Sequence, residues 1–207
     1  MMNRKSFNKI NYGMFLLSAK GEDHAQGCVV NSLHQDTSSI PYKFSVTVNK
    51  SNQTFKAIEA SGAFAATVLA KDAPKELIDL FGSKSGRAID KFEGKDVKTD
   101  GNGSPYITEG AIARFSFKVV DKLDLGTYML FIAEATEGEV LADGPALTVD
   151  DFKNAGSTAP AAATVVRTME PVAWRCTVCG YIAEMEELPE GYKCPICRAD
   201  RSKFVRV

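Results

Sequence analysis

No apolar run in this 207-residue chain approaches the ~20 residues that a membrane-crossing helix needs; Met14 to Leu17 and Ala63 to Ala70 have the length of buried strands. A membrane-spanning helical role is not expected. An excess of one charge is also missing, with 25 Lys and Arg against 26 Asp and Glu, so a nucleic-acid or membrane-surface role is not expected either. Histidine is scarce: His24 and His34 have no metal-ligating partners at useful spacing, and neither is read as catalytic. The start of the chain shows no signal peptide, and four of its five cysteines fall in one segment. Both features lead to the expectation of a cytoplasmic protein with free thiols.

Those four cysteines are the strongest signal present. Cys176-Thr177-Val178-Cys179 and Cys194-Pro195-Ile196-Cys197 are two Cys-x-x-Cys pairs separated by fourteen residues, a metal-site spacing. Each pair can sit on a tight turn that aims both sulfurs at one point, and two facing turns make a tetrahedral four-thiolate cage. Spacing alone suits zinc and a single iron equally. Two disulfides in a secreted mini-domain fit less well, because the rest of the chain is not cysteine-rich.

The flanking residues add a resemblance. Trp174-Arg175-Cys176-Thr177-Val178-Cys179-Gly180-Tyr181, then Leu188-Pro189, Cys194-Pro195-Ile196-Cys197 and Ser202-Lys203-Phe204, closely resemble a short rubredoxin domain of the kind that ends rubrerythrins. The resemblance implies one iron held by Cys176, Cys179, Cys194 and Cys197 and cycling between ferric and ferrous states; a structural zinc ribbon is the alternative. One position departs from the family. Arg198 follows the fourth cysteine where rubredoxins usually have Gly, whose tolerance of positive φ shapes that turn.

A composition change marks the boundary between this segment and the rest. Lys153-Asn154-Ala155-Gly156-Ser157-Thr158-Ala159-Pro160 and the alanines after it have no hydrophobic period, so the expected organisation is a domain over 1–153, a flexible linker over 154–172 and a metal domain over 173–207. As a tether, the linker would reach ~25 Å.

In the first domain, Tyr12 to Ser18 and Gly27 to Leu33 read as a strand pair, and Phe44-Ser45-Val46-Thr47-Val48 alternates with the period of a half-buried strand. Phe55 and Ile58 are spaced for one helix face, with Ser51 or Asn52 as N-cap and Gly62 as the stop. A strand leading through a polar loop into a helix can hold phosphate, although an ordinary capped helix beside a solvated Lys50 explains the same pattern. Ala63 to Leu69 reads as a buried strand, Pro74 to Phe81 as a helix ended by Gly82, and Asp96 to Pro105 as turns. Ile112 to Val119 alternates, with Phe115, Phe117 and Val119 as a core stripe, while Thr127 to Ala135 and Glu139 to Leu141 complete a hairpin series. Cys28 reads as a small core residue. The fold class expected is mainly β, an antiparallel barrel with short helices.

Several of these segments resemble the FMN-binding split-barrel flavin reductases, and within them the fusions with rubredoxin. The resemblance rests on Tyr12-Gly13-Met14-Phe15, on Val30-Asn31-Ser32-Leu33-His34-Gln35-Asp36-Thr37-Ser38, on Val48-Asn49-Lys50 with Thr54, and on Phe81-Gly82 with Ser85-Gly86-Arg87 and Asp90-Lys91-Phe92. Asp36 and Ser39-Ile40-Pro41 depart from the family's usual loop. The resemblance implies FMN with its isoalloxazine against Asn31, Ser32 and Leu33, and its phosphate on Thr37, Asn49, Lys50 and Thr54, joined by Ser85 and Arg87. It also implies a homodimer, NAD(P)H as donor, and a flavodiiron reductase of oxygen or nitric oxide as acceptor. No side-chain acid or base is implied, because hydride transfer needs none. A non-enzymatic FMN and iron carrier, reduced by a separate NADH-dependent enzyme, is the competing expectation. No dinucleotide fingerprint occurs to choose between NADH and NADPH.

Overall fold

The computed structural model describes residues 3–155, 173–178, 182–184, 187–195 and 197–206. They fall into two units, one within Met1–Thr158 and the other within Ala159–Val207. The stretch read as a linker lies outside the described residues except for Asn154 and Ala155, which close a helix.

The first unit is built on strands β1 (Phe15–Ala19), β2 (Gln26–Val30), β3 (His34–Gln35), β4 (Lys43–Asn49), β5 (Ala63–Leu69), β6 (Val97–Thr99), β7 (Pro105–Ile107), β8 (Ala111–Asp124) and β9 (Tyr128–Val140). Helix α1 (Gln53–Ser61) lies between β4 and β5, α2 (Lys75–Ser83) follows β5, and α3 (Val149–Ala155) closes the unit. Seven strands form one antiparallel sheet in the order β2-β1-β5-β8-β9-β4-β3. Among the described residues its edges, β2 and β3, do not pair with each other, which leaves the expected barrel split. No described helix is long and apolar enough to cross a membrane.

Two apolar cores lie on either side of β1. Leu17 and Ala19 point into one with Val46, Val48, Phe64, Phe117 and Phe131, and α1 seals it with Phe55 and Ile58. Met14 and Leu16 enter the other, with Leu77, Ile78 and Phe81 from α2 and Phe92 from the loop after it. The continuous run Met14 to Leu17 is thus a strand buried on both faces. Its one hydroxyl is satisfied, because Ser18 Oγ donates to the Pro105 carbonyl at 2.5 Å.

Local chemistry sets most boundaries. Gly62 takes φ 67° at the C-cap of α1, a conformation that Gly reaches without strain, and its N–H bonds the Ile58 carbonyl at 2.9 Å. Thr148 Oγ1 accepts from Asp151 N at 3.1 Å and donates to Asp151 Oδ2 at 2.7 Å, which starts α3 and carries it through Ala155. Three local expectations are corrected. Gly82 does not end α2, which continues to Ser83. The turns expected over Asp96 to Pro105 include strand β6 and lead into β7, which pairs with it antiparallel. The two strands expected over Thr127 to Ala135 and Glu139 to Leu141 are one, β9; a bulge at Thr136 in β9, opposite Ser116/Phe117, and one at Val120 in β8 let the two strands bend together without breaking the ladder.

The second unit is a three-stranded sheet in which β10 (Ala173–Cys176) pairs with both β11 (Ile182–Glu184) and β12 (Phe204–Arg206). Its core is small: Cys176, Ala183, Leu188, Cys194 and Phe204.

Candidate functional site

In the second unit, the sulfurs of Cys176, Cys194 and Cys197 all lie within 4.8 Å of one another, and those of Cys176 and Cys197 are 3.6 Å apart. A disulfide would bring sulfurs to ~2.05 Å. Two thiolates ~2.3 Å from a shared tetrahedral ion stand roughly 3.8 Å apart, so these donors fit one zinc or iron. Cys179, the expected fourth ligand, lies outside the described residues. Backbone bonds fix the turns: Thr177 N donates to Lys203 O at 2.8 Å, Cys194 N to Ala199 O at 2.8 Å, and Arg198 N to Cys194 O at 2.9 Å.

Arg198 has φ 59° and is the positive-φ residue other than Gly among those described. The turn after the fourth cysteine thus takes the left-handed backbone that a Gly would reach without strain. Left-handed backbone costs a side-chain-bearing residue roughly 1–2 kcal/mol, and glycine's greater freedom in the unfolded chain offsets about 0.5–1 kcal/mol of that. Arg198→Gly should therefore stabilise the metal-loaded unit by about 0.5–1 kcal/mol, measured as the denaturant midpoint for loss of thiolate-to-metal absorption. An unchanged or lowered midpoint would show that the arginine side chain repays its strain.

In the first unit, a polar cavity of about 270 Å³ opens between β2, the start of α1 and the loop after α2, lined by Cys28, Asn52, Thr54, Ser85 and Lys91 among others. Asn52 holds the N-cap position of α1 without a side-chain capping bond. The first-turn N–H groups, which have no intrahelical acceptor, therefore stand at the cavity wall. Burial pushes the Cys28 thiol up, while the Thr54 and Asn52 side chains and the charge of Lys91 pull it back. Cys28 packs in the core as expected and also faces the cavity.

The expected phosphate and ring residues divide in space. Thr54, 2 % exposed, and Ser85 share the cavity. Arg87 borders an adjoining cavity of about 410 Å³, where the Gln53 amide oxygen, in the orientation that satisfies both groups, accepts from Arg87 Nε at 2.6 Å. A Cβ at Gly86 between them would stand 2.2 Å from Gln26 Oε1 and require that side chain to shift. Ser32 Oγ donates to Thr47 O at 3.0 Å and accepts from Thr47 N at 3.2 Å, docking the loop after β2 onto β4; Asn31 is exposed and Leu33 enters the core. The remaining three have other partners. Thr37 Oγ1 accepts from Lys43 N at 2.8 Å and donates to Pro41 O at 3.1 Å, Asn49 Oδ1 accepts from Ser51 N at 2.9 Å, and Lys50 Nζ pairs with Asp124 Oδ1 at 2.5 Å. None of Thr37, Asn49 and Lys50 lines the cavity. Asn52 and Lys91 do, and sequence reasoning did not assign them: Lys91 lay in a distinctive motif, but nothing in the motif shows which way its charge points.

Comparison with known proteins matches the two units to two separate families. Residues 7–156 match the flavin reductase like domain, and residues 174–205 the rubrerythrin, rubredoxin-like domain. A high molecular weight rubredoxin from Moorella thermoacetica is 32 % identical over 230 aligned positions that cover all of both chains. A ferric-chelate reductase (NAD(P)H) from Archaeoglobus fulgidus is 37 % identical over 151 residues, covering 73 % of this chain and 89 % of its own. Among solved structures, an FMN-binding protein from Thermus thermophilus shares the fold with a TM-score of 0.60 at 19 % identity, over 68 % of this chain and 76 % of that one. The chain belongs to the flavin reductase-like family, as a member that joins this domain to a rubredoxin-like metal domain in the manner of high molecular weight rubredoxin.

Proposed function

We propose that the protein is an electron-transfer flavoenzyme that takes electrons from NAD(P)H by way of FMN to a rubredoxin-type iron, and on to an acceptor such as a flavodiiron oxygen or nitric oxide reductase. The observation that carries this reading is the pairing, in one chain, of a flavin reductase-like unit having a donor-lined polar cavity with a unit whose thiolates stand at single-ion spacing. Bound flavin accepts two electrons as hydride and releases them singly, which is what a one-electron iron requires. The similarity to an NAD(P)H-dependent ferric-chelate reductase supports the nucleotide as donor.

The chain's own residues bind and orient. Thr54 and Ser85 offer hydroxyl donors to the phosphate at the start of α1, where the helix dipole also favours an anion. Arg87, held by Gln53, adds a charge at the rim. Asn31, with Ser32 and Leu33 locked onto β4 and the core, borders the isoalloxazine. Cys176, Cys179, Cys194 and Cys197 hold the iron, and no side chain is assigned to move a proton. We further propose a cytoplasmic homodimer organised as domains over 1–153 and 173–207.

Anaerobic addition of NADH or NADPH to the FMN-loaded protein tests the reading. The flavin absorption near the visible maximum should bleach, followed by loss of the ferric-thiolate absorption. A flavin that stays oxidised with both nucleotides would overturn the enzymatic reading in favour of a carrier reduced by another protein.

A further inference from the structure

Lys91 is 5 % exposed, and its Nζ donates to two backbone carbonyls, Gly27 at 3.0 Å and Phe81 at 3.2 Å. Among the described residues no carboxylate forms an ion pair with it. Two neutral carbonyls take two of its three protons and the Phe81 ring faces it at 5.7 Å, but no anion balances its charge, a costly state for an ammonium removed from water. Burial accordingly lowers its pKa, opposed by the negative charge that Cys28 carries as a thiolate. Lys91 lines the cavity that also contains Thr54 and Ser85. Lys50, by contrast, gives its charge to Asp124 outside that lining.

We infer that Lys91, and not Lys50, is the cation that makes the cavity select a flavin ending in phosphate over uncharged riboflavin, the bound phosphate supplying the counter-charge this ammonium lacks. The inference rests on the flavin reading above. Its geometry adds a second consequence. By bonding Gly27 in β2 and Phe81 in α2, both of which line the cavity, Lys91 ties that strand to that helix, so the same side chain shapes the cavity and charges it.

The test is to titrate FMN and riboflavin into the full-length protein and into Lys91→Met, Lys91→Arg and Lys50→Ala. Lys91→Met should weaken FMN at least tenfold, the scale expected for loss of one charge-assisted phosphate bond, with riboflavin changed less than twofold; Lys91→Arg should recover part of the loss. Unchanged FMN affinity in Lys91→Met, equal losses for both flavins, or a selective FMN loss only in Lys50→Ala would overturn the assignment. Should Lys91→Met not fold, the Lys91 ε-carbon resonance of the unsubstituted protein, identified by its absence from Lys91→Arg, gives the answer. It should move with FMN or inorganic phosphate and not with riboflavin, and a resonance indifferent to all three overturns the inference. Failure of the unsubstituted protein to bind either flavin would defeat the flavin reading itself; FMN binding that ignores Lys91 would defeat only this role.

Discussion

Cys194→Ser should abolish iron binding and unfold the second unit while FMN binding by the first stays intact. Cys194 is 1 % exposed and belongs to a core whose other members are Cys176, Ala183, Leu188 and Phe204. Two of those five are metal ligands, so most of what remains is three apolar side chains, too few to offset the ordering of this segment. The metal must supply the difference; structural zinc in comparably small units contributes about 10–16 kcal/mol. A serine hydroxyl at this position is a poor ligand for an ion otherwise held by soft thiolates. Metal analysis, loss of thiolate-to-iron absorption and collapse of the second unit's dispersed NMR signals would together confirm the expectation. Retained iron with an ordered unit would show that the remaining ligands suffice. Zinc alone in protein from iron-replete cells would remove the electron relay altogether.

Phe117→Ala should cost the first unit about 3–5 kcal/mol, the range for deleting a buried aromatic. Phe117 is fully buried near the middle of the sheet, its ring stacked on Phe64 at 4.9 Å and edge-on to Phe44 at 5.0 Å. It therefore links three strands, β4, β5 and β8, in the core that α1 seals. Because a domain's whole stability is typically about 5–15 kcal/mol, this one change should consume a large part of it. Urea unfolding followed by tyrosine and Phe-environment signals measures the loss, and FMN should shift the midpoint back upward by mass action. A loss under about 1 kcal/mol would mean that neighbouring rings refill the space.

The sequence was most legible where one local rule acts alone. The meeting of Cys176, Cys194 and Cys197 was announced by their spacing, because Cys-x-x-Cys turns aim their sulfurs at one point, and Gly62 ends α1 because few other residues reach its φ. Ala63 to Leu69 was readable as a strand to the residue. The single strand β9 was hidden because the pairing continues through two irregularities, an extra residue at Thr136 in β9 and one at Val120 in β8, and the glycine at 138 looks like a break. The candidate cavity was half legible. Thr54 and Ser85 came together as expected, whereas Lys50 was drawn off by Asp124, 74 residues away in sequence. Lys91, though part of a quoted motif, was given no role for the converse reason. A lysine between Asp90 and Phe92 looks solvated until the chain folds it beneath α2.

The double burial of β1 also has a bearing on how the first unit opens. A strand with one solvent face can fray while its sheet survives, but β1 is bonded along both edges, to β2 and β5, and covered above and below by separate cores. No local fluctuation exposes its amides without dismantling one of those four neighbours. Hydrogen exchange at Leu16 and Leu17 would accordingly proceed only through global unfolding, at a rate set by the stability of the entire unit, whereas the two-residue edge strand at His34 and Gln35 would exchange through small, frequent openings. The unit thus has a slow-exchanging spine at one strand and a fast edge at another, and the segment from Asn31 to Leu33 lies on the path between them.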